Sequence, residues 1–217
     1  MYISSCYTIG MDFELKATLG LLAAGVALIN YLPYLIGVIK QTLHPHAFSW
    51  IIFTVITATV GLAQLSEGAG AGSWATGATA VTTFLIAGFA VRNGGYRITR
   101  FDIISLLGAL VAIPVWIISD NPLLAIIILT GIEALGFLPT YRKAWKYPFD
   151  ESQLAFSLTI TKYSLALGAM QAYTIATVLF PAALILFSVL LIIETAWRKK
   201  RTRKPGTVTS SQSSENG

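Results

Sequence analysis

The chain has 217 residues, of which 55% are hydrophobic and only 12% are charged. A soluble domain carries about 25% charged residues, so this composition excludes a soluble globular protein and indicates that most of the chain lies in lipid. The formal net charge is +5, and a basic cluster at 198–204 is typical of a cytoplasmic stop signal that contacts anionic lipid. The sequence shows no basic face of the kind that binds nucleic acid. The single cysteine, Cys6, excludes an internal disulfide and a cysteine-based zinc site.

Seven apolar segments follow one another along the chain, and each is long enough to cross the ~30 Å hydrocarbon core as a helix. They lie at roughly 17–39, 46–65, 73–91, 101–118, 122–141, 154–173 and 175–197. The sixth and seventh are nearly continuous. We separate them at 171–174, because one helix of over ~40 residues does not fit across a bilayer. The sequence therefore predicts an all-α membrane protein with seven transmembrane helices.

Basic residues are distributed unevenly between the two sides of such a bundle. With the N-terminus outside, thirteen of the fifteen Lys and Arg residues lie in loops or in the tail on the cytoplasmic side. Cytoplasmic loops carry an excess of this kind, so we expect an N-out, C-in orientation. The exceptions are Lys16, near the outer start of the first span, and Lys162, within the sixth.

One short pattern occurs twice in the chain. Leu-Pro at 32–33 precedes Ala-Phe-Ser at 47–49, and Leu-Pro at 138–139 precedes Ala-Phe-Ser at 155–157. The copies map spans 1–3 onto spans 5–7 and leave span 4 as a linker, so both triplets cross in the same direction, as parallel repeats. The expected divisions are an extracytoplasmic N-terminal segment (1–16), a first three-helix repeat (17–91), a linker helix with flanking loops (92–121), a second three-helix repeat (122–197) and a basic, then disordered cytoplasmic tail (198–217).

This 3+1+3 arrangement resembles the PQ-loop and SWEET-like transporter superfamily over about residues 17–197. That group carries a Pro-Gln pair near the cytoplasmic ends of spans 1 and 5, and a serine where the following span begins. The matching positions here are Pro33-Tyr34 with Ser49, and Pro139-Thr140 with Ser157. The prolines and serines agree, whereas Tyr and Thr replace the glutamines. The resemblance implies a solute transporter of a bacterial-type branch in an inner (plasma) membrane, and it leaves the substrate class open.

Two ionisable residues lie deep within spans, Glu133 in the fifth and Lys162 in the sixth. A charge at this depth is costly and faces the protein interior or a cavity. We expect spans 5 and 6 to be antiparallel neighbours, so that a pair between the two side chains is geometrically plausible. Two interpretations stay open: a structural ion pair, or a substrate or proton site in which Glu133 titrates during transport. Asn30 is a candidate hydrogen-bond donor to the substrate, or it joins two helices.

Pro33 and Pro139 each remove a backbone N–H within a span. Their equivalent positions favour a pair of hinges, and static kinks are the alternative. The residues expected near such a gate are Tyr34, Thr140, Ser49 and Ser157. Gln64 and Gln171 lie near the outer ends of their spans, where they suit an outer gate or hydrogen bonds between helices. Trp50 and Tyr31 are candidates for stacking on a substrate ring.

The leading hypothesis is therefore a transporter of a small polar solute that works by alternating access, either facilitative or proton-coupled. The alternative is a membrane receptor or sorting protein on the same fold. A retinal protein is disfavoured because the buried lysine is in the sixth span rather than the last. No catalytic dyad is visible within the spans, so we expect no enzyme activity and no cofactor or metal. The expected partners are the solute and the lipid bilayer, not nucleic acid, and a homo-oligomer is possible.

Overall fold

The computed structural model describes residues 2–43, 45–94 and 98–202, with side chains described for 13–43, 45–94 and 98–201. Within these ranges the chain forms seven α-helices and one short 3₁₀ helix, and no strand. The α-helices are α1 (Tyr2–Ile39), α2 (Ala47–Ser66), α3 (Trp74–Asn93), α4 (Arg100–Ser119), α5 (Pro122–Lys146), α6 (Gln153–Ala169) and α7 (Ile175–Thr202). The 3₁₀ helix, Gly70–Ser73, lies directly before α3.

All of these α-helices except α6 are long and apolar enough to cross a membrane. The α6 helix has 17 residues, at the lower end of the ~17–25 residues that span a bilayer. Large apolar side chains also face outward, with Ile117 and Ile118 in α4 exposed by 73% and 85%. Such a surface is stable in lipid but not in water. The chain is a multi-pass membrane protein.

The helix ends differ from the sequence prediction in several places. The break between the last two spans is confirmed, but α6 ends at Ala169 rather than near 173, because Met170 adopts an extended backbone conformation with φ −64° and ψ 134°. The first helix begins at Tyr2, well before the predicted start at 17. The α7 helix continues to Thr202 and carries part of the basic cluster, and the predicted disorder beyond it lies outside the described residues.

Local capping chemistry fixes where three of the helices begin. Thr99 and Asp102 form a capping box at α4, in which the Thr99 backbone N–H donates to Asp102 Oδ2 at 2.8 Å. Asn121 Oδ1 accepts from the Leu123 N–H at the start of α5, where Pro122 takes the first helical position. Ser152 Oγ accepts from the Ala155 N–H at α6.

The two halves of the chain pack in the same way. In the first half α3 packs against both α1 and α2, and in the second α7 packs against both α5 and α6. Between the halves α1 packs against α6, and α2 packs against α5, while α4 lies against α5 and α2. The expectation that spans 5 and 6 are direct neighbours is wrong, because α7 packs between them.

The two ends of the bundle differ in chemistry. At one end, which we call the basic end, Asn93 Nδ2 donates to the Val38 carbonyl and Arg198 Nε donates to the Trp145 carbonyl, so the C-terminal ends of α3 and α7 are tied to those of α1 and α5. The opposite end carries the 3₁₀ helix and the connection between α6 and α7. There the Gln171 N–H donates to the Ala69 carbonyl at 3.1 Å. The candidate site lies between these two ends.

Candidate functional site

A cavity of about 470 Å³ lies between the two halves, lined by α1, α2 and α3 on one side and by α5, α6 and α7 on the other. This volume is within the ~300–1,000 Å³ of small-molecule sites. The cavity extends from Thr79 and Phe180, deep in the bundle, to Glu151 just before α6 at the basic end. A small organic molecule fits inside it.

Most of the lining residues come in pairs, one from each half. On the first and second helices of each half, six pairs are 106 residues apart: Asn30 and Gly136, Tyr31 and Phe137, Tyr34 and Thr140, Trp50 and Phe156, Phe53 and Thr159, and Thr57 and Tyr163. On α3 and α7, two pairs are 101 residues apart: Thr79 and Phe180, and Thr83 and Leu184. The lining residues without a counterpart are Glu133, Glu151, Ala155 and Lys162. The two halves therefore present corresponding faces to the cavity, and its charged residues belong to the second half alone.

Lys162 is 1% exposed, and its ammonium group is held in place by three neighbours. Its Nζ donates a hydrogen bond to Thr79 Oγ1 at 3.0 Å. It also lies 4.8 Å from the centre of the Tyr31 ring and 4.6 Å from that of Tyr163. Cation–π contacts of this kind contribute about 2 kcal/mol when they are desolvated. Neutral groups from α1, α3 and α6 thus hold the cation, with no carboxylate among them.

Glu133 is 9% exposed and lines the same cavity. Its Oε2 has no hydrogen-bond partner, and neither has the Thr130 hydroxyl one turn earlier in α5. The predicted ion pair between Glu133 and Lys162 is not formed within 4.0 Å. The reason is that α5 and α6 are separated by α7 rather than adjacent. The two opposite charges face one cavity without touching.

Asn30 fits both of its predicted roles. It lines the cavity, and its Nδ2 donates to Thr159 Oγ1 at 3.1 Å across the interface between α1 and α6. Because Thr159 is the counterpart of Phe53 in the second half, this bond joins the two halves at the cavity wall.

An aromatic cluster lines the cavity toward the basic end. The Tyr34 and Trp50 rings have centroids 4.8 Å apart with a tilt of 33°. Tyr31 and Phe53 meet Trp50 edge-on, at 6.1 Å and 5.8 Å. Tyr34 and Thr140, both predicted gate residues, line this part of the cavity, with Trp50 beside them. Trp50, a candidate for stacking on a substrate ring, therefore lines the cavity.

The other predicted gate residues lie outside the lining. Pro33 and Pro139 are inside α1 and α5, as expected, but they do not line the cavity. The Ser49 hydroxyl lies 3.3 Å from His46 Nδ1, while Ser157 is exposed. In the lining pairs, each residue of α1 or α2 corresponds to the residue 106 positions later, so Ser49 corresponds to Ala155 and not to Ser157. The two Ala-Phe-Ser motifs are therefore offset by two residues relative to the cavity.

The end of the cavity opposite the basic end is closed by packing. Gln64 is fully buried, and its Nε2 donates to the Thr177 carbonyl at 3.1 Å between α2 and α7. Gln171 lies in the connection between α6 and α7 and packs its side chain against Gly70. Gly72 packs in the same way against Met170. Neither glutamine lines the cavity. Gln64 joins α2 to α7, and Gln171 packs against the 3₁₀ helix at the closed end.

Sequence reasoning missed several lining residues. Thr79 and Thr83 were hidden in the apolar third span, where small hydroxyl residues indicate only close helix packing. Phe137, Phe156 and Tyr163 could have been predicted, because each lies 106 residues after an aromatic or polar lining residue of the first half. The constant spacing between the two halves indicates these positions.

Comparison with family models, with curated proteins and with solved structures found no match to this chain. The fold and the cavity therefore define the class of protein only as far as a multi-pass helical membrane protein with a central, partly charged cavity.

Proposed function

We propose that the protein transports a small polar solute across a plasma membrane by alternating access. In this proposal α1–α3 and α5–α7 are parallel repeats joined by α4, with the N-terminus outside and the C-terminus in the cytoplasm. The observation that carries the proposal is the cavity itself, which corresponding residues of both halves line. A substrate site at the interface between two repeats is the usual arrangement in transporters.

The cavity in this conformation supports a state that is open toward one side. It extends to Glu151 and Phe156 at the basic end, and cytoplasmic loops are the basic ones. At the opposite end, Gln171 and Met170 pack on the 3₁₀ helix, and neither residue lines the cavity. In the transport cycle the halves rock about the cavity, so that the basic end closes and the 3₁₀ seal opens.

The prolines and the aromatic cluster have distinct roles in this cycle. Pro33 and Pro139 lie one residue before Tyr34 and Thr140, so a bend at either proline moves a lining residue. Contact between Tyr34 and Trp50 narrows the basic end when α1 and α2 move together. Transport is facilitative if Glu133 keeps one protonation state, and proton-coupled if Glu133 exchanges a proton in each cycle.

Cysteine labelling tests alternating access before any substrate is known. Cys6 is the only cysteine, so a Cys6→Ser background accepts a single new thiol at Gly136, which lines the cavity and has open space for a Cβ. We expect a membrane-impermeant maleimide to label Gly136→Cys faster from the cytoplasmic side than from outside. A transported substrate then shifts the ratio of the two rates. The matched control is Gly88→Cys in α3. This position also has open space for a Cβ, but it is exposed on the surface of the helix bundle and does not line the cavity.

Uptake into liposomes measures the function directly. Protein reconstituted with and without a pH gradient is supplied with radiolabelled solutes, and uptake that follows the proton gradient shows proton coupling. Specific binding without any uptake favours the alternative, a membrane receptor. Labelling of Gly136→Cys from one side only, unchanged by a bound solute, also contradicts alternating access.

A further inference from the structure

Three charged side chains line the central cavity in the described part of the chain: Glu133, Glu151 and Lys162. Glu151 is neutralised locally, because its Oε1 lies 2.8 Å from Lys143 Nζ. Glu133 and Lys162 have no such partner in each other or in any other ion pair. The cavity thus presents one carboxylate and one ammonium group, each without an opposite charge in contact.

A buried charge without an opposite partner costs several kcal/mol, because it has lost its water. Neutral groups compensate Lys162 in part, through Thr79 and two ring faces. Glu133 is less well compensated, since its Oε2 lacks any hydrogen-bond partner. A ligand that brings the missing charges recovers this cost, and a ligand that lacks them does not.

We propose that the substrate is a zwitterion with an apolar body, whose cationic group binds Glu133 and whose anionic group binds Lys162. The inference rests on the proposed function and specifies the substrate class of the same site. Glu133 on α5 and Lys162 on α6 line the same cavity, so one molecule that carries both counter-charges can pair with the two groups together.

The surroundings of the two charges define the rest of the ligand. Thr79 takes one of the three N–H donors of the Lys162 ammonium, so others remain for an incoming carboxylate. The Tyr31 and Tyr163 rings fix the position of the ammonium and leave it little freedom to turn away. Phe137 lies one turn after Glu133, and Phe180 packs edge-on against Tyr163 at 6.0 Å. An apolar or aromatic body is therefore accommodated beside the charged groups.

Other classes of solute satisfy the site only in part. A neutral sugar supplies hydroxyl groups but leaves both charges without a counter-charge. A simple amine pairs with Glu133 and leaves Lys162 without a counter-charge. A simple carboxylate pairs with Lys162 and leaves Glu133 without one. Specificity of this kind arises from the cost of leaving a buried group unpaired.

A matched set of three ligands tests the inference on the wild-type protein. L-Phenylalanine carries both charges, phenethylamine carries only the amine, and 3-phenylpropanoate carries only the carboxylate, on the same aromatic body. Binding is measured by thermal shift and by isothermal titration calorimetry on the detergent-purified full chain. We expect phenylalanine to bind roughly tenfold or more tightly than either single-charge analogue.

Two variants then assign each charge to its partner. Glu133→Gln removes the preference for phenylalanine over 3-phenylpropanoate, because the amine no longer has a counter-charge. Lys162→Met removes the preference for phenylalanine over phenethylamine, because the carboxylate of phenylalanine no longer has a counter-charge. Glu67→Gln and Lys40→Met, which change charged residues outside the cavity lining, leave both preferences intact. Gel filtration and circular dichroism show whether each variant is folded, and the wild-type ligand series stands even if one is not.

Several outcomes overturn the inference. Equal binding of all three ligands does so, as does tighter binding of a single-charge analogue. Failure of phenylalanine, of the smaller L-alanine and of the larger L-tryptophan to bind also excludes the class. If D-glucose or uridine binds and enters liposomes while the zwitterions do not, the substrate class is wrong and the transport function stands. If Gly136→Cys labelling shows no second state, the transport function fails whatever ligand binds.

Discussion

The surroundings of Glu133 do not fully compensate the burial of its carboxylate. Its carboxylate is buried, and Oε2 has no hydrogen-bond partner. Removing a partner from a buried polar atom costs about 1–3 kcal/mol, so removing the unpartnered atom itself recovers a similar amount. Proteins accept such a cost where a residue serves function rather than stability.

The first prediction is that Glu133→Leu raises the melting temperature of the ligand-free protein by a few degrees and abolishes substrate binding. The buried Oε2 has no hydrogen-bond partner to lose, and the leucine side chain fills a similar volume with apolar atoms. Thermal unfolding in detergent measures the first effect, and calorimetry with phenylalanine the second. A lower melting temperature contradicts the prediction, because it means that the carboxylate supports the fold.

At the level of secondary-structure elements, the end of the cavity opposite the basic end depends on two close contacts of the 3₁₀ helix. We call this packing of the 3₁₀ helix against α1, Met170 and Gln171 the seal. A Cβ at Gly72 would meet the Met170 side chain and would lie 2.9 Å from the Ala166 carbonyl oxygen. A Cβ at Gly20 would lie 2.6 Å from the Ala71 carbonyl oxygen, where α1 packs on the other face. The absence of a side chain at these positions lets the 3₁₀ helix close the cavity.

The second prediction is that Gly72→Ala weakens this seal. The added methyl group forces α6 and the 3₁₀ helix apart, and overpacking of this kind costs about 1–3 kcal/mol. We expect a lower melting temperature and faster labelling of Gly136→Cys from outside. The matched control is Gly77→Ala in α3, where a Cβ meets nothing within 4 Å. If Gly72→Ala leaves the ratio of outside to cytoplasmic labelling rates unchanged, the 3₁₀ helix does not form the seal.

The third prediction concerns the hinges. Pro33→Ala and Pro139→Ala restore a backbone N–H inside α1 and α5 and stiffen both helices. We expect a several-fold slower uptake at nearly unchanged substrate affinity, since neither proline lines the cavity. Pro114 lies inside α4 and is exposed, so Pro114→Ala is the control that leaves uptake unchanged. Static kinks give the opposite pattern, with equal uptake in all three variants.

Much of this architecture was predictable from the sequence, and the errors have identifiable causes. The helices are recognisable because lipid demands long apolar segments, and Glu133 and Lys162 stand out because charges at that depth are rare. The ion pair, one of the two interpretations left open for Glu133 and Lys162, is not formed, because the segments adjacent in sequence are not adjacent in space and α7 packs between α5 and α6. The serine match failed because a three-residue motif is too short to fix the register, while the spacing of the whole lining face does so.

At the scale of the whole molecule, the two halves share a scaffold but not its charges. Leu35 and Ile86 belong to one apolar cluster in the first half. At the corresponding positions of the second half, the Tyr141 hydroxyl donates to the Phe187 carbonyl at 2.6 Å. The helices thus meet at equivalent points with different chemistry. In the proposed transport cycle, the similar packing of the two halves serves the rocking motion, and the charges in one half serve the specificity.

Whether the halves are parallel depends on the short helix α6. With 17 residues it is about 25 Å long, slightly less than the ~30 Å core. However, α6 packs against α1 and α7 within the bundle, and Lys162 in its middle is buried by protein rather than by lipid. A helix packed in this way between two longer helices crosses at the lower end of the ~17–25 residues that span a bilayer. We therefore expect seven crossings, which place the two ends of the chain on opposite sides of the membrane.

The last prediction tests this count with the chain's own cysteine. Cys6 lies in the segment 1–16, which the sequence predicts to be extracytoplasmic, so we expect a membrane-impermeant maleimide to label it in intact cells. In a Cys6→Ser background, Ser210→Cys in the tail is labelled only after the membrane is permeabilised. If both thiols react from the same side, α6 does not cross. The two triplets then cannot be parallel repeats, and the corresponding faces of the cavity require another explanation.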